Sequence, residues 1–345
     1  RNTMPGWVQL SFVREPNFFY GLGVQGKRNQ VVVSIDDGRV VGMGCRCVRP
    51  TYVNGRKMDV GYLSGLRSLD HVRKKLGLAR GYAFLKGLHS DQLTPVYLST
   101  VMDGNHDARA TLTSGRAGLP HYLDHGRYFT YAINLNRRRR HRSAGVAVRR
   151  GEEVGLDRLL GFLRDVGSRR QFFPALETAD FGTDYLRGLR PADFRVAVSG
   201  EGEILGAAAA WDQNAFKQTL VRGYAAPLRR LWPVINGVLR VAGFGALPHP
   251  GEALPMIYIA FLCVRDDNPE VTRVILEQIY ADRQAGDCRF LVVGLHERDP
   301  LRPVMRAFPV FRYTSRLYLV CWDDGMEFVR SLDPARIPHL EAATL

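Results

Sequence analysis

The strongest constraint on the fold is an order of elements that occurs twice. Residues 30–135 read as hairpin, long strand, turn, helix, strand, short helix, strand, and residues 144–323 repeat that order without obvious residue identity. In the first half, Gln30–Asp36 and Arg39–Pro50 are rich in β-branched residues and are joined by the Asp37-Gly38 turn dipeptide. A second turn, Asn54-Gly55, leads into a third strand through Met58–Leu66. From Leu78 the apolar residues Leu78, Tyr82, Leu85 and Leu88 recur at helical spacing. Pro95–Asp103 returns to strand character. Asn105 is placed to cap a short helix through Ala108 and Leu112, with Gly115 expected to close it. Gly126–Leu135 is the last strand of this half.

In the second half, Leu156, Leu159, Leu160, Leu163 and Val166 form one helical face. A hairpin follows with its turn at Gly200-Glu201-Gly202, then the long apolar strand Leu254–Asp267. Asn268-Pro269 starts a helix whose stripe is Val271, Val274, Ile275 and Ile279. Residues 227–245 are an insertion with the pattern of an extra helix. The expected organisation is a first domain over 1–136, a basic linker over 137–143 and a second domain over 144–330. The chain opens on Arg1 rather than Met, so further residues are expected before it.

Composition narrows the classes. Of the 345 residues 46% are hydrophobic and 24% charged, which suits a chain with buried cores. No apolar run reaches the ~18–20 residues that cross a bilayer, so no membrane partner is expected. Five cysteines without a C-x-x-C pair point to reduced thiols and a cytoplasmic setting. Cys45 and Cys47 share one strand face and read as packing, not as zinc ligands. His121 and His125 have helical metal spacing, but Pro120 and Gly126 oppose a helix, and no metal is expected. Neither G-x-S-x-G nor a P-loop occurs. The net charge of +14 includes the run Arg137–Arg142, read as a solvated linker; nucleic acid is a partner the charge allows but does not favour.

The stretch Arg67–Arg80, "RSLDHVRKKLGLAR", lies between the third strand and the helix. Small residues at alternate positions let backbone N–H groups close on a phosphate at a helix start, and Gly77 and Ala79 meet that requirement. The order of elements and this turn resemble the GNAT superfamily of acyl-CoA-dependent N-acyltransferases, whose turn follows the pattern Q/R-x-x-G-x-G/A. The match runs through Lys74-Lys75-Leu76-Gly77-Leu78-Ala79, with Lys in the first place, and the Asn105, Ala108, Gly115 spacing resembles the family's short helix. The resemblance covers residues 30–135 well and 144–323 less specifically, so the chain is expected to be a tandem GNAT. It implies an α/β (α+β) fold: two GNAT-like domains, each a mixed, mostly antiparallel sheet flanked by helices with a splayed central strand. The first domain is expected to lack the fold's first strand and helix.

The resemblance further implies acetyl-CoA as cofactor, cradled by Arg73, Lys74, Lys75, Leu76, Gly77, Leu78 and Ala79 with Asn105 nearby, and a thioester carbonyl held by backbone N–H groups of Leu66, Arg67 or Ser68. The corresponding turn of the second half carries Asp266, Asp267, Pro269 and Glu270 and no glycine, and is expected to hold no pyrophosphate. Asp59 is the first candidate for general base. The position of the family's usual acidic Tyr is Leu112 here, and Tyr122 is the candidate proton donor, with Tyr128 a second choice. Glu15, Phe19 and Tyr20 fall where the family builds its acceptor wall. The expected activity is transfer of an acetyl group to an unidentified small-molecule or peptide amine, and a homodimer is compatible with the sequence. Two other readings remain open: an aminoacyl-tRNA-dependent transferase using the arginine run, and a coenzyme A-binding regulator without turnover.

Overall fold

The computed structural model describes residues 8–69, 77–116, 118–135, 146–241, 248–284 and 286–345. The arginine run and most of the basic turn, Arg73 to Leu76, lie outside them. Thirteen strands are described: β1 (Val8–Val13), β2 (Arg28–Asp36), β3 (Arg39–Val53), β4 (Arg56–Ser68), β5 (Tyr97–Met102), β6 (His121–Asn134), β7 (Ala147–Arg150), β8 (Phe194–Val198), β9 (Ile204–Asp212), β10 (Gln218–Tyr224), β11 (Met256–Val264), β12 (Phe290–His296) and β13 (Val310–Cys321). The anticipated turns hold, and Asp37 and Asn54 take the left-handed conformation that tight hairpins need.

Eleven strands form one sheet in the order β2-β3-β4-β5-β13-β6-β12-β11-β9-β8-β7, antiparallel except at β4–β5 and β11–β12. Each half has the same construction: a hairpin, a long strand, a helix (Gly77–His89 or Pro269–Arg283) and a parallel return strand. The last strands are exchanged. β13, from the end of the chain, pairs with β5 of the first half, while β6, from the first half, pairs with β12 of the second. The two halves thus repeat an order of elements, and one sheet runs through both.

The packing follows the exchange. Leu317, Leu319 and Cys321 of β13 point to one face of the first half with Cys45, Cys47, Val60 and Tyr62, whereas Tyr318 and Val320 point to the other with Leu63, Tyr82 and Leu85. Phe129, Tyr131 and Ile133 of β6 instead join the core of the second half with Ile275 and Leu291. This period-two alternation allows one strand to seal two faces.

A strand and a short helix, Phe18–Gly23, precede β2, but β1 leaves the main sheet and pairs antiparallel with β10. β2 is therefore an edge, with three strands before the parallel pair in the first half and four (β7, β8, β9, β11) in the second. The short helix starts at Asn105 as expected but ends at Leu112 on Thr113, and Gly115 turns left-handed beyond it. Histidines 121 and 125 lie on an extended strand, which separates them from any helical metal geometry.

One buried polar network fixes the helix Gly77–His89 to the sheet. Arg46 donates to Tyr97 Oη (2.9 Å) and bidentately to Asp91 (2.7 Å each), and His89 Nδ1 lies 2.8 Å from the same phenol. The Arg46 hydrogen bond holds the Asp91 carboxyl below its ordinary value of 3.8. A depressed carboxylate stabilises the fold above its unfolded pKa, and that contribution fades as pH falls through the lower folded value.

Two expectations follow from these contacts. A methyl group at Gly61 would stand 2.0 Å from the Tyr97 ring, so Gly61→Ala lowers stability by about 1–3 kcal/mol in chemical denaturation. Asp91→Asn costs about 1.5–3 kcal/mol at pH 7 by the same measurement. Its deficit relative to wild type shrinks as pH is taken below 3.8, because the wild-type carboxylate is then protonated as well.

Candidate active site

β4 and β5 are registered only at Gly61↔Tyr97 and Tyr62↔Leu98. Beyond that pair they diverge. Ser99 Oγ donates to Leu63 O (3.1 Å) on one face, and Tyr62 Oη lies 3.2 Å from Thr100 Oγ1 on the other. The divergence is reinforced by a bulge: the β3–β4 register slips between Met43 and Cys45, and Gly65 sits at φ 63°, a conformation for which glycine is the natural choice. Leu66, Arg67 and Ser68 follow as an exposed wall of the opening. The helix whose first turn is Gly77-Leu78-Ala79 borders it, with Leu78 packed against Tyr82 and Leu63.

Tyr122 reaches the base of this opening. β6 carries it opposite Val320, β13 carries Tyr318 opposite Ser99, and the Tyr122 and Tyr318 rings are 5.7 Å apart. The Tyr122 hydroxyl is 2.6 Å from that of Tyr82 on the helix, and Ser99 also approaches it. Ala108 and Leu112 of the short helix belong to the same packed group as Tyr122. Burial holds both phenols protonated, Tyr82 up to about 12 and Tyr122 well above the ordinary value of 10. Tyr128, by contrast, is buried on the opposite face and donates to Leu340 O (2.7 Å). Asn105 caps its helix by accepting from Ala108 N–H (3.2 Å).

The other expected residues lie elsewhere. Asp59 is seven residues before Leu66, about 23 Å along an extended strand, and beyond the closed end of the opening. It shares a shallow recess with Lys27, Lys57 and Pro50. Glu15, Phe19 and Tyr20 turn outward: Phe19 is 62% exposed, Tyr20 stacks on the Arg187 guanidinium 4.0 Å away, and Glu15 bonds Gln218 through its backbone. The helix Phe18–Gly23 buries its Gly21, Leu22, Gly23 side, which forces the aromatic residues out.

From this N-terminal stretch it is Arg14 that faces inward, its guanidinium 5.1 Å from the Phe18 ring and within electrostatic reach of Cys45, Tyr62 and Arg67. Gln25, fully buried, accepts from Ser64 Oγ (2.6 Å) and from the Cys47 thiol. Lys217, from the β9–β10 connection, lies 4.4 Å from the Tyr258 ring, and burial together with Arg14 lowers its pKa to about 7. These residues carry no local motif. Their only sequence signal is charge within otherwise apolar segments.

The second half repeats the construction with a different outcome. β11 and β12 pair at Met256↔Phe290 through Tyr258↔Val292 and then part, and β11 is bulged between Ala260 and Cys263, with Phe261 at φ 55°. Here the bulge amide is already engaged: Phe261 N–H donates to Glu341 Oε2 (2.7 Å), and the Phe261 ring stacks between Phe194 and Trp211. In the turn that follows, Asp266 and Asp267 pair with Arg169 and Arg170.

Comparison with known proteins agrees with this geometry at the level of the fold. No family model matches the chain, and no curated protein does. Among solved structures, a GCN5-related N-acetyltransferase from Sphaerobacter thermophilus is similar over 84% of this chain and 80% of its own, at 14% identity and TM-score 0.52. The GCN5-related glucosamine N-acetyltransferase region of a fungal multi-domain GH3 β-N-acetylglucosaminidase is similar over 86% of this chain, at 13% identity and TM-score 0.56, and this chain spans 34% of it. A GCN5-related N-acetyltransferase from Anabaena variabilis matches over 87% of this chain and 64% of its own length, at 9% identity and TM-score 0.47. The chain therefore shares its fold with these N-acetyltransferase structures: a large, mostly antiparallel sheet flanked by helices. Among the described residues, no helix is long and apolar enough to cross a membrane.

The two coupled phenols give a direct expectation. In a spectrophotometric pH titration, the phenolate absorbance lost in Tyr122→Phe appears only above the ordinary phenol value of 10, because burial opposes its ionisation.

Proposed function

We propose that the chain is an acyl-coenzyme A-dependent N-acyltransferase working at the β4–β5 opening of the first half, with acetyl as the acyl group and a small-molecule or peptide amine as acceptor. The observation that carries this reading is the two-residue parallel register that ends at Tyr62↔Leu98, followed by the bulge at Gly65. That construction opens the sheet where a thioester can lie beside unpaired backbone.

The residues present fit such a group. The bulge exposes Leu66, Arg67 and Ser68 on one wall, and Gly77 and Ala79 place small residues in the first turn of the adjoining helix. Arg73, Lys74, Lys75 and Leu76 complete the basic turn in sequence and lie outside the described residues. Bound acyl-coenzyme A would supply an activated thioester carbonyl. Backbone N–H groups at the bulge polarise that carbonyl as the acceptor nitrogen adds to its carbon. Tyr122, whose hydroxyl lies 2.6 Å from that of Tyr82, would give its proton to the sulfur that departs as the C–S bond breaks and would take up the proton that the acceptor nitrogen sheds, so that the phenol is restored. The amine must arrive neutral. Asp59 is too far down β4 to receive its proton and has no role in this reading.

Tyr122 also weighs against a coenzyme A binder without turnover, since the phenol lacking at Leu112 is supplied from β6. The second half is read as the non-binding repeat. Its turn begins with two carboxylates held by arginines and its bulge amide is taken by Glu341, so an incoming pyrophosphate and carbonyl would both have to displace an anion.

Calorimetric titration with acetyl-coenzyme A should give saturable binding, and no heat at millimolar ligand overturns the assignment. Tyr122→Phe should lower kcat by about a hundredfold while leaving coenzyme A affinity unchanged, and Asp59→Asn should leave kcat unaltered.

A further inference from the structure

Behind the opening, on the face away from the helix Gly77–His89, side chains from both halves come within electrostatic reach of one another around the Tyr62 and Tyr258 rings, and this region has an unusual charge balance. Three cations face it. Arg14 lies against Phe18 and within reach of Tyr62 and Cys45. Arg49 is buried, stands 5.6 Å from the Tyr62 ring, and donates only to neutral oxygens, those of Thr344 and Gln25. Lys217 lies against the Tyr258 ring and, at 3.4 Å, donates to the Ala343 carbonyl. Among the described residues none of the three has a carboxylate within salt-bridge distance. Glu341, a carboxylate that faces the same region, is already engaged: Oε2 accepts from Phe261 N–H and lies 3.6 Å from His339 Nε2, and Oε1 accepts from Ala343 N–H (3.1 Å).

A buried cation without a counter-charge is costly, and several together are more so, since each disfavours the others. Such an arrangement persists when a ligand supplies the missing charge. A further donor points the same way. Gln25 has its Oε1 fixed by Ser64 and Cys47, while its buried Nε2 has no partner. Ser64 is on β4, two residues past the last β4–β5 pair, so this donor and Arg14 adjoin the opening itself.

We propose that the acceptor amine carries a carboxylate, bound between Arg14 and Lys217, so that the substrate class is amino acids or amines of similar acidity. The proposal rests on the transferase reading above for the word acceptor, but not for the anion site. A carboxylate suits the planar fork of Arg14, which a compact ammonium alone would not orient. The groups facing Lys217 are Arg14 from the β1–helix segment, Glu341 from the C-terminal segment and Tyr258 from β11. Burial and Arg14 outweigh Glu341 and hold Lys217 near 7. An arriving carboxylate raises that value, so the complex takes up a proton around neutral pH and binding weakens as pH rises above it.

The test is calorimetry on the full chain without coenzyme A, with the twenty free L-amino acids, their C-terminal amides and inorganic phosphate as probes. At least one free amino acid should bind at least tenfold more tightly than its amide. At pH 7, titrations in buffers of different ionisation enthalpy should show uptake of a fraction of a proton, which is lost in Lys217→Met. Arg14→Gln should weaken binding at least tenfold. Arg14→Lys, as a second variant in case that one does not fold, should keep the charge but lose more than half of the discrimination against amides. Equal binding of acids and amides, no binding of any amino acid at millimolar concentration, or unchanged affinity in folded variants of Arg14 overturns the proposal. Phosphate binding more tightly than every amino acid at the same site also overturns it, in favour of a phosphorylated acceptor. Carboxylate binding by a chain that shows no heat with acetyl-coenzyme A leaves the anion site standing and removes the transferase reading. Coenzyme A binding with no carboxylate site does the reverse.

Discussion

The candidate site depends on a parallel contact two residues long. Gly61 lacks a side chain, and the Tyr97 ring occupies the space where a Cβ would be. This lets β5 approach β4 there and nowhere further along. Tyr97 is held from behind by Arg46 and His89, so the closed end of the opening is anchored by a buried, largely satisfied network. From that fixed point the strands diverge, Gly65 bulges, and the open wall Leu66–Ser68 forms. A sheet paired along its full length would have no cleft here.

The exchange of β6 and β13 gives the opening its chemistry. A strand from the end of the chain lies beside β5, and Tyr318 on it supports Tyr122 from β6 at the base of the cleft. The same crossing brings the C-terminal segment between the halves, where Glu341 takes the bulge amide of the second half. Two repeats of one plan thus end in different states: one bulge stands open beside the helix Gly77–His89, the other is filled by a carboxylate and an aromatic stack. The region between them draws cations from both halves.

Much of this was legible in the residues. Turn dipeptides placed the hairpins, the 3.6-residue spacing placed the helices Gly77–His89 and Pro269–Arg283, and Asn105 and Asn268 marked helix starts by capping. Tyr122 was legible as a candidate because it stands near the missing phenol in sequence. Asp59 and the Glu15, Phe19, Tyr20 group lie away from the β4–β5 opening for a reason that no local pattern carries. Sequence proximity to a site says nothing about how far along a strand a residue sits, or which side of a short helix is buried.

By itself the sequence determined the local elements, their repeated order and the contrast between a basic and an acidic turn, because these rest on backbone propensity, periodicity and net charge within a few residues. The tertiary structure alone decided that one sheet runs through both halves with their last strands exchanged, since strand neighbours are chosen by long-range burial. It also decided that Tyr122 meets Tyr82, and that Arg14, Arg49 and Lys217, 203 positions apart from first to last, come within electrostatic reach of shared neighbours. Electrostatic balance is a property of distances in space, and no local pattern of residues records it.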